Sequence, residues 1–181
     1  MTGTIEAVFI AAAAGEAMQP VDEVLAFTDR GLDGDRYATR RGYWTDVDEC
    51  QVTLIQAEDL DAITAGSGPP GVRGVHGVAV AHGEHRRNLV TRDVDLRGLA
   101  GWRFRVGEAV FHYDRPRPPC RYIEGITEPG MTRALAARRG GICARVVESG
   151  LIREGDTIEL LEQDSFIERV AGPLLRWPAR D

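Results

Sequence analysis

The sequence predicts a mainly β domain with short helices, folded as a closed or nearly closed barrel. Three observations carry this expectation. Segments with strand character outnumber helical ones, the connections between them are short, and no regular alternation of strand and helix marks a doubly wound sheet. A small barrel leaves few strand edges exposed, so it is the natural closure for such a set. The 181 residues suit one domain, and at that size roughly 70% of the unfolded chain's surface is buried.

Residues 4–11 are apolar and partly β-branched between Gly3 and Gly15, and they read as the first strand, with 21–27 as the second. Residues 30–36 (RGLDGDR) are a charged loop with two glycines, and 37–49 are polar and aromatic without a period, hence irregular and exposed. QVTLIQ at 51–56 is a strand. A short helix over 57–65 follows, with Leu60 and Ile63 on one side and Glu58, Asp59 and Asp61 near its start, where the helix dipole favours acids. Residues 66–77 carry five glycines and two prolines and read as a surface loop.

Residues 87–91 form a short strand, and Asp95 caps a turn over 96–100. Residues 102–106 and 109–113 flank Gly107-Glu108 as a β-hairpin, with Trp102, Phe104 and Val106 on one face and Arg103 and Arg105 on the other. DRPRPPC at 114–120 is a loop stiffened by prolines. Helical patches follow over 121–126 and 132–138, the second ended by Gly140-Gly141. Strands at 142–148 and 157–161 are joined by a connection over 149–156. The domain spans 1–162, and 163–181 is a tail with helical character over 165–175, broken by Pro173.

Composition narrows the function classes. The net charge of -6 argues against a nucleic-acid binder, which usually presents a basic face. Local arginine clusters at 86–87, at 115, 117 and 121, and at 138–139 are nevertheless compatible with a bound anion such as a phosphate. Three cysteines without a disulfide framework indicate a reducing compartment, and their spacing does not suggest zinc. The first residues lack a basic start and Glu6 interrupts their apolar run, so no signal peptide is read there. No stretch approaches the ~20 apolar residues of a membrane span. A soluble, cytoplasmic protein is expected.

Cys120 is the thiol best placed for chemistry. It follows the stiff Pro118-Pro119 pair in a loop, near Arg115, Arg117 and Arg121, and neighbouring cations favour the thiolate that binds metal or attacks sulfur. Cys143, in the apolar ICARVV strand, reads as a packed thiol, and Cys50 is open to either role. Arg86, Arg87 and Asn88 offer two guanidinium forks and an amide to a phosphate or a heterocycle edge. Gly34-Asp35-Arg36 places an acid–base pair in a loop. Four histidines are present, His76, His82, His85 and His112. His82 and His85 form a weak metal pair, and His85 is a conceivable proton donor. Dinucleotide, Walker and nucleophile-elbow motifs are absent.

Taken in order, GLDGDRYA (31–38), QVTLIQAE (51–58), RRNLVTRDVDLRGLAGWRFRVGEAVF (86–111), PPC (118–120) and GGICARVVESGLIREGDTIEL (140–160) resemble the MOSC domain, the module at the C-terminal end of molybdenum cofactor sulfurases. The resemblance implies a β-barrel of MOSC type in a standalone, bacterial-type member. It places Cys120 at the family's characteristic cysteine, which ligates molybdenum of a pterin cofactor in the reductase relatives and is proposed to carry sulfur in the sulfurase branch. It places Arg87 and Asn88 where cofactor-contacting polar residues occur, Arg145 in another such region, and Arg36 in the GDR motif. Tyr37 stands where many relatives have His.

Three readings follow from the resemblance. The first is a molybdenum-dependent oxidoreductase acting on N-hydroxylated or N-oxide compounds. Its cofactor would be held by Cys120, Arg36, Arg86, Arg87, Asn88 and Arg145, and its electrons would come from another protein. The second is a sulfur carrier forming a persulfide on Cys120. The third is a non-catalytic module that binds a small anion. The partner expected is a small-molecule substrate, with neither nucleic acid nor membrane. The chain has no lysine, which excludes a pyridoxal phosphate Schiff base on its own residues. It has no cysteine cluster for iron–sulfur work either.

Overall fold

The computed structural model describes residues 2–47, 49–68 and 77–163. Expectations for most of the glycine-rich loop, for His76 and for the helical tail therefore lie outside the described residues. In chain order the elements are β1 (Gly3–Ile10), β2 (Gln19–Val21), β3 (Glu23–Phe27), β4 (Gly31–Leu32), β5 (Val52–Gln56), α1 (Ala57–Thr64) and β6 (Leu89–Arg92). A 3-10 turn (Leu96–Leu99) leads to β7 (Trp102–Val106), β8 (Ala109–Pro116), α2 (Arg121–Ile126), α3 (Met131–Ala134), β9 (Ile142–Glu148), β10 (Gly150–Arg153) and β11 (Thr157–Gln163).

Seven strands close into the expected barrel in the order β1-β11-β7-β8-β9-β5-β6, with β6 returning to β1. The closing contact is short, Gly3 opposite Ile158 and Thr4 opposite Thr157. Beyond it the same edge of β1 takes up β2, with Val8 opposite Val21. Neighbours are antiparallel except β5 and β6, a parallel pair joined through α1, as parallel strands require a long crossover. A small sheet of β10, β3 and β4 packs beside the barrel.

The β7–β8 hairpin shows how sequence pattern makes the wall. Phe104 and Val106 are buried while Arg103 is exposed, the two-faced alternation of a half-solvated strand. Inside the barrel Ile5, Leu54, Leu89, Phe104, Phe111 and Ile158 form one core. A second core lies outside the wall, where Ile55, Phe9 and Val90 meet Ile63 of α1, Ile123 of α2 and Met131 of α3. Strand β5 is thus buried on both faces, Leu54 toward the first core and Ile55 toward the second. That is why QVTLIQ reads as a nearly continuous apolar run.

Several boundaries differ from expectation. The second strand is split at Asp22, where the chain leaves β1 for the small sheet. Strand β6 starts at Leu89 because Arg86 adopts a left-handed backbone (φ 61°). Strand β8 runs on through Pro116, with a bulge between Tyr113 and Arg115, so the proline loop is only Arg117–Cys120. The second helical patch stops at Ala134, and the chain then places Ala137 and Arg138 at positive φ (51° and 74°). The connection 149–156 contains β10, whose Leu151 pairs with Leu25. Its glycines concealed a strand that only its partner stabilises. The turn over 96–99 is capped as expected, Asp95 accepting from the Arg97 amide at 3.1 Å.

The aromatic pair at the barrel centre tests this packing. Phe104 and Phe111 stack at 5.7 Å between centroids, both fully buried. Phe111→Ala should lower unfolding free energy by about 3–5 kcal/mol in urea titrations. A loss below about 1 kcal/mol would mean that the stack does not occupy the core.

Candidate functional site

The site is built over a buried polar knot where β1 ends and β6 begins. Asp35, fully buried, accepts from the Ala11 amide (3.1 Å), the Tyr37 amide (3.0 Å), Asn88 Nδ2 (2.9 Å) and Arg36 Nη1 (3.1 Å). Asn88 donates also to the Phe9 carbonyl (3.1 Å), and its Oδ1 accepts from Thr53 N (3.1 Å) and Thr53 Oγ1 (2.7 Å). Both amide hydrogens of Asn88 are therefore engaged within the protein. The residue lies beneath the cleft and positions what lines it.

Above this knot lie three arginines that the sequence singled out. Arg36 donates to the Arg86 carbonyl (3.2 Å) and stands 4.6 Å from the Tyr37 ring centroid. Arg86 donates to the Glu16 carbonyl. Arg87 spends its fork on carbonyls of Gly140 (2.7 Å), His85 (3.2 Å), Arg86 (3.4 Å) and Arg117 (3.5 Å). Among the described residues, Asp35 is the one carboxylate bonded to these three guanidinium groups. Burial, then repulsion from Arg117, holds Arg87 down at about 10. Burial, then Arg36, lowers Arg86 as well. Buried cations bonded mainly to neutral carbonyls are costly, and a bound anion would offset that cost.

Cys120 lines the same cleft as Arg36, Arg86, Arg87 and Arg117. It is half-buried and directly precedes α2, and its carbonyl accepts from the Ile123 amide (3.1 Å) and Thr132 Oγ1 (3.3 Å). The space among the arginines is small, about 50 Å³. It adjoins a larger cavity of about 410 Å³, lined by Trp44, Val47 and the Arg115–Cys120 segment. Tyr43 and Tyr122 stack at 3.8 Å at the mouth of the cleft, with Trp44 edge-on to Tyr43. Sequence reading did not single out these aromatics. Their density in the aperiodic segment 37–49 was the available signal, since a rigid scaffold often presents function on such loops.

The remaining candidates lie elsewhere. Arg145 does not line the cleft: half-exposed on the barrel's outer face, it pairs with Asp114 at 3.3 Å. Cys143 is fully buried in β9 beside buried Cys50, whose thiol burial and the neighbouring Cys143 push up. His82 is exposed, and no group of three or more His, Cys, Asp or Glu side chains is set to hold a metal among the described residues. His85 is buried against Phe9. Its Nδ1 accepts the Arg87 amide at 3.0 Å, which leaves the proton on Nε2, and Nε2 has no hydrogen-bond partner among the described residues. Burial, then Arg87 and Arg86, lowers its pKa to about 3, so it stays neutral and is not the protonated donor considered from sequence.

The family model for the MOSC domain matches residues 40–159. Among solved structures, the YuaD protein from Bacillus subtilis is similar over 88% of this chain and 96% of its own, at 20% identity and a TM-score of 0.63. YiiM from Escherichia coli is similar over 98% of this chain and 80% of its own, at 19% identity and 0.58. YiiM from Geobacillus stearothermophilus is similar over 88% and 75%, at 16% and 0.61. At these identities the likeness establishes the fold. No curated protein sequence matches significantly. No helix among the described residues is long and apolar enough to cross a membrane.

Two predictions follow from the knot and its neighbour. Asn88→Ala strips Asp35 and Thr53 of partners in a dry interior and should cost about 3 kcal/mol or more in urea unfolding. An effect near that of a surface substitution would remove the knot from its structural role. His85 titrates near 6.5 when unfolded and near 3 when folded, so the unfolded state gains a proton that the native state refuses. Stability should therefore hold above pH 6.5 and fall as pH drops toward 3. His85→Asn should remove about 2 kcal/mol of the loss between pH 6.5 and 5. An unchanged pH profile in that variant would assign the loss to other groups.

Proposed function

We propose, from the premise that the chain belongs to the MOSC domain family, a family associated with molybdenum cofactor binding, that the arginine cleft takes the phosphate of a molybdenum–pterin cofactor and that Cys120 ligates its metal. The observation that carries this reading is the buried Arg87, bonded to backbone carbonyls and set beside Arg36 and Arg86 in a cleft with a thiol on its wall.

The donor set suits the cofactor part by part. Guanidinium groups suit a phosphate, and a soft thiolate suits a thiol-binding transition metal. The volumes agree too: a phosphate-sized space among the arginines opens onto a cavity large enough for a heterocycle beside Cys120. Bound there, the cofactor supplies the redox chemistry that removes oxygen from an N-hydroxylated or N-oxide substrate, with electrons from a separate donor protein. The chain's own residues bind and orient. Asp35 holds Arg36, Asn88 holds Asp35, and Pro118-Pro119 stiffen the approach to Cys120. The stacked Tyr43 and Tyr122 shield the cleft from water. Arg145, paired to Asp114 outside the cleft, has no part in this scheme.

Elemental analysis of protein made in cells supplied with molybdate and able to make the pterin should give about one molybdenum per chain, lost in Cys120→Ser. Retention of metal by Cys120→Ser at the wild-type level would overturn the assignment. A metal-free wild type carrying a cyanide-labile sulfur on Cys120 would favour the persulfide carrier instead.

A further inference from the structure

On the far side of the Arg117–Cys120 segment lies a second cavity, of about 330 Å³, that the proposed cofactor scheme does not use. Its apolar lining is Pro116, Pro118, Pro119, Leu135 and Ile142. Arg97, Tyr113 and Arg138 also line it, as does Arg117, which it shares with the arginine cleft. Arg138 belongs to one of the arginine clusters noted in the sequence. It is exposed and forms no hydrogen bond or ion pair among the described residues. The backbone that presents it is held at positive φ at both Ala137 and Arg138, a conformation unfavourable to side-chain-bearing residues. Arg97 is exposed and bonds Asp95 through Nε at 3.3 Å. The half-buried Tyr113 hydroxyl forms no hydrogen bond among the described residues. Burial, then Asp114, pushes this phenol up, so it remains an O–H donor at neutral pH.

The cavity is preformed. Its wall toward the cofactor cleft is held by the Arg117 amide donating to the Gly141 carbonyl at 2.8 Å. Gly140 packs against that wall so closely that a Cβ there would lie 2.2 Å from the Arg117 carbonyl oxygen. Gly141, at φ 79°, would put a Cβ 1.9 Å from the Leu54 carbonyl oxygen. Two prolines stiffen the same segment. A pocket of this size with an apolar floor and a few converging polar groups is the usual form of a small-molecule site.

We infer that this cavity is a second ligand site, distinct from the arginine cleft, for a small organic anion with a flat apolar body. The proline and aliphatic floor receives the body, and Arg138, Arg97 and the Tyr113 hydroxyl receive a carboxylate. In a chain of net charge -6, the exposed Arg97 and Arg138, with Arg117 on the cavity wall, select such a ligand over a neutral one. An inorganic anion would leave the floor unfilled.

The probe is benzoate, followed by proton–nitrogen NMR on the full chain, with benzamide as its neutral counterpart. Saturable shifts are expected at the amides of Arg97, Tyr113, Gly140 and Gly141. Arg138→Gln should weaken benzoate binding about tenfold, which corresponds to about 1.4 kcal/mol, and benzamide should bind the wild type about tenfold more weakly than benzoate. Both arginines are exposed, so Arg97→Gln/Arg138→Gln should keep the wild-type spectrum elsewhere. The inference is overturned if shifts are absent, if they are confined to Arg36, Arg86 and Arg87, or if the double variant binds benzoate as well as the wild type.

Discussion

Everything at the arginine cleft depends on Asp35 and on the amide that holds it. Asn88 reaches from the start of β6 to Phe9 of β1, to Thr53 of β5 and to Asp35 at once. Asp35 in turn fixes Arg36 and receives the backbone at Ala11 and Tyr37. Removing either group would leave buried donors without acceptors, the most expensive way to lose a hydrogen bond. The knot therefore serves two ends. It ties three wall strands together at one rim of the barrel, and it sets the base on which the arginines stand.

The charge distribution follows from that base. One buried carboxylate among three buried guanidinium groups leaves the cleft electropositive inside an acidic protein. Arg87 bonds to four carbonyls, which orient the fork without cancelling its charge. The same segment, 117–119, then forms a wall of the arginine cleft, of the 410 Å³ cavity and of the 330 Å³ cavity. Its stiffness comes from Pro118-Pro119 and from the Arg117–Gly141 bond, and it leaves the barrel wall directly after Pro116, the last residue of β8 paired with β9.

Much of this was legible in the chain. The hairpin at 102–113, the doubly buried QVTLIQ strand and the capped turn at Asp95 are local patterns whose period or capping residue states their structure. Cys120, Arg36, Arg86 and Arg87 were marked by residue type and by loop context, and they meet at one cleft. Asn88 was read as facing a ligand and instead faces inward, because an amide at a strand start looks the same whether its partners are a bound molecule or Thr53, Phe9 and Asp35. Arg145 was placed with the cofactor, but at its position β9 alternates, and its side chain lies opposite the buried Ala144 and Val146. Strand β10 was missed because GLIR has no pattern of its own and is a strand through pairing with β3.

The sequence by itself determined the local alphabet of this protein: which segments are strands, where prolines and glycines stop them, and which side chains have the chemistry to bind an anion or a soft metal. Those properties depend on residues a few positions apart. The tertiary structure alone decided which of them face one another. Arg36, Arg87 and Cys120 are separated by tens of residues and share a cleft only because the ring of strands closes between β1 and β11 and the loops at one rim converge. Whether a polar group there is a ligand contact or a buried tie is set by its partners across the fold, and those partners are distant in the chain.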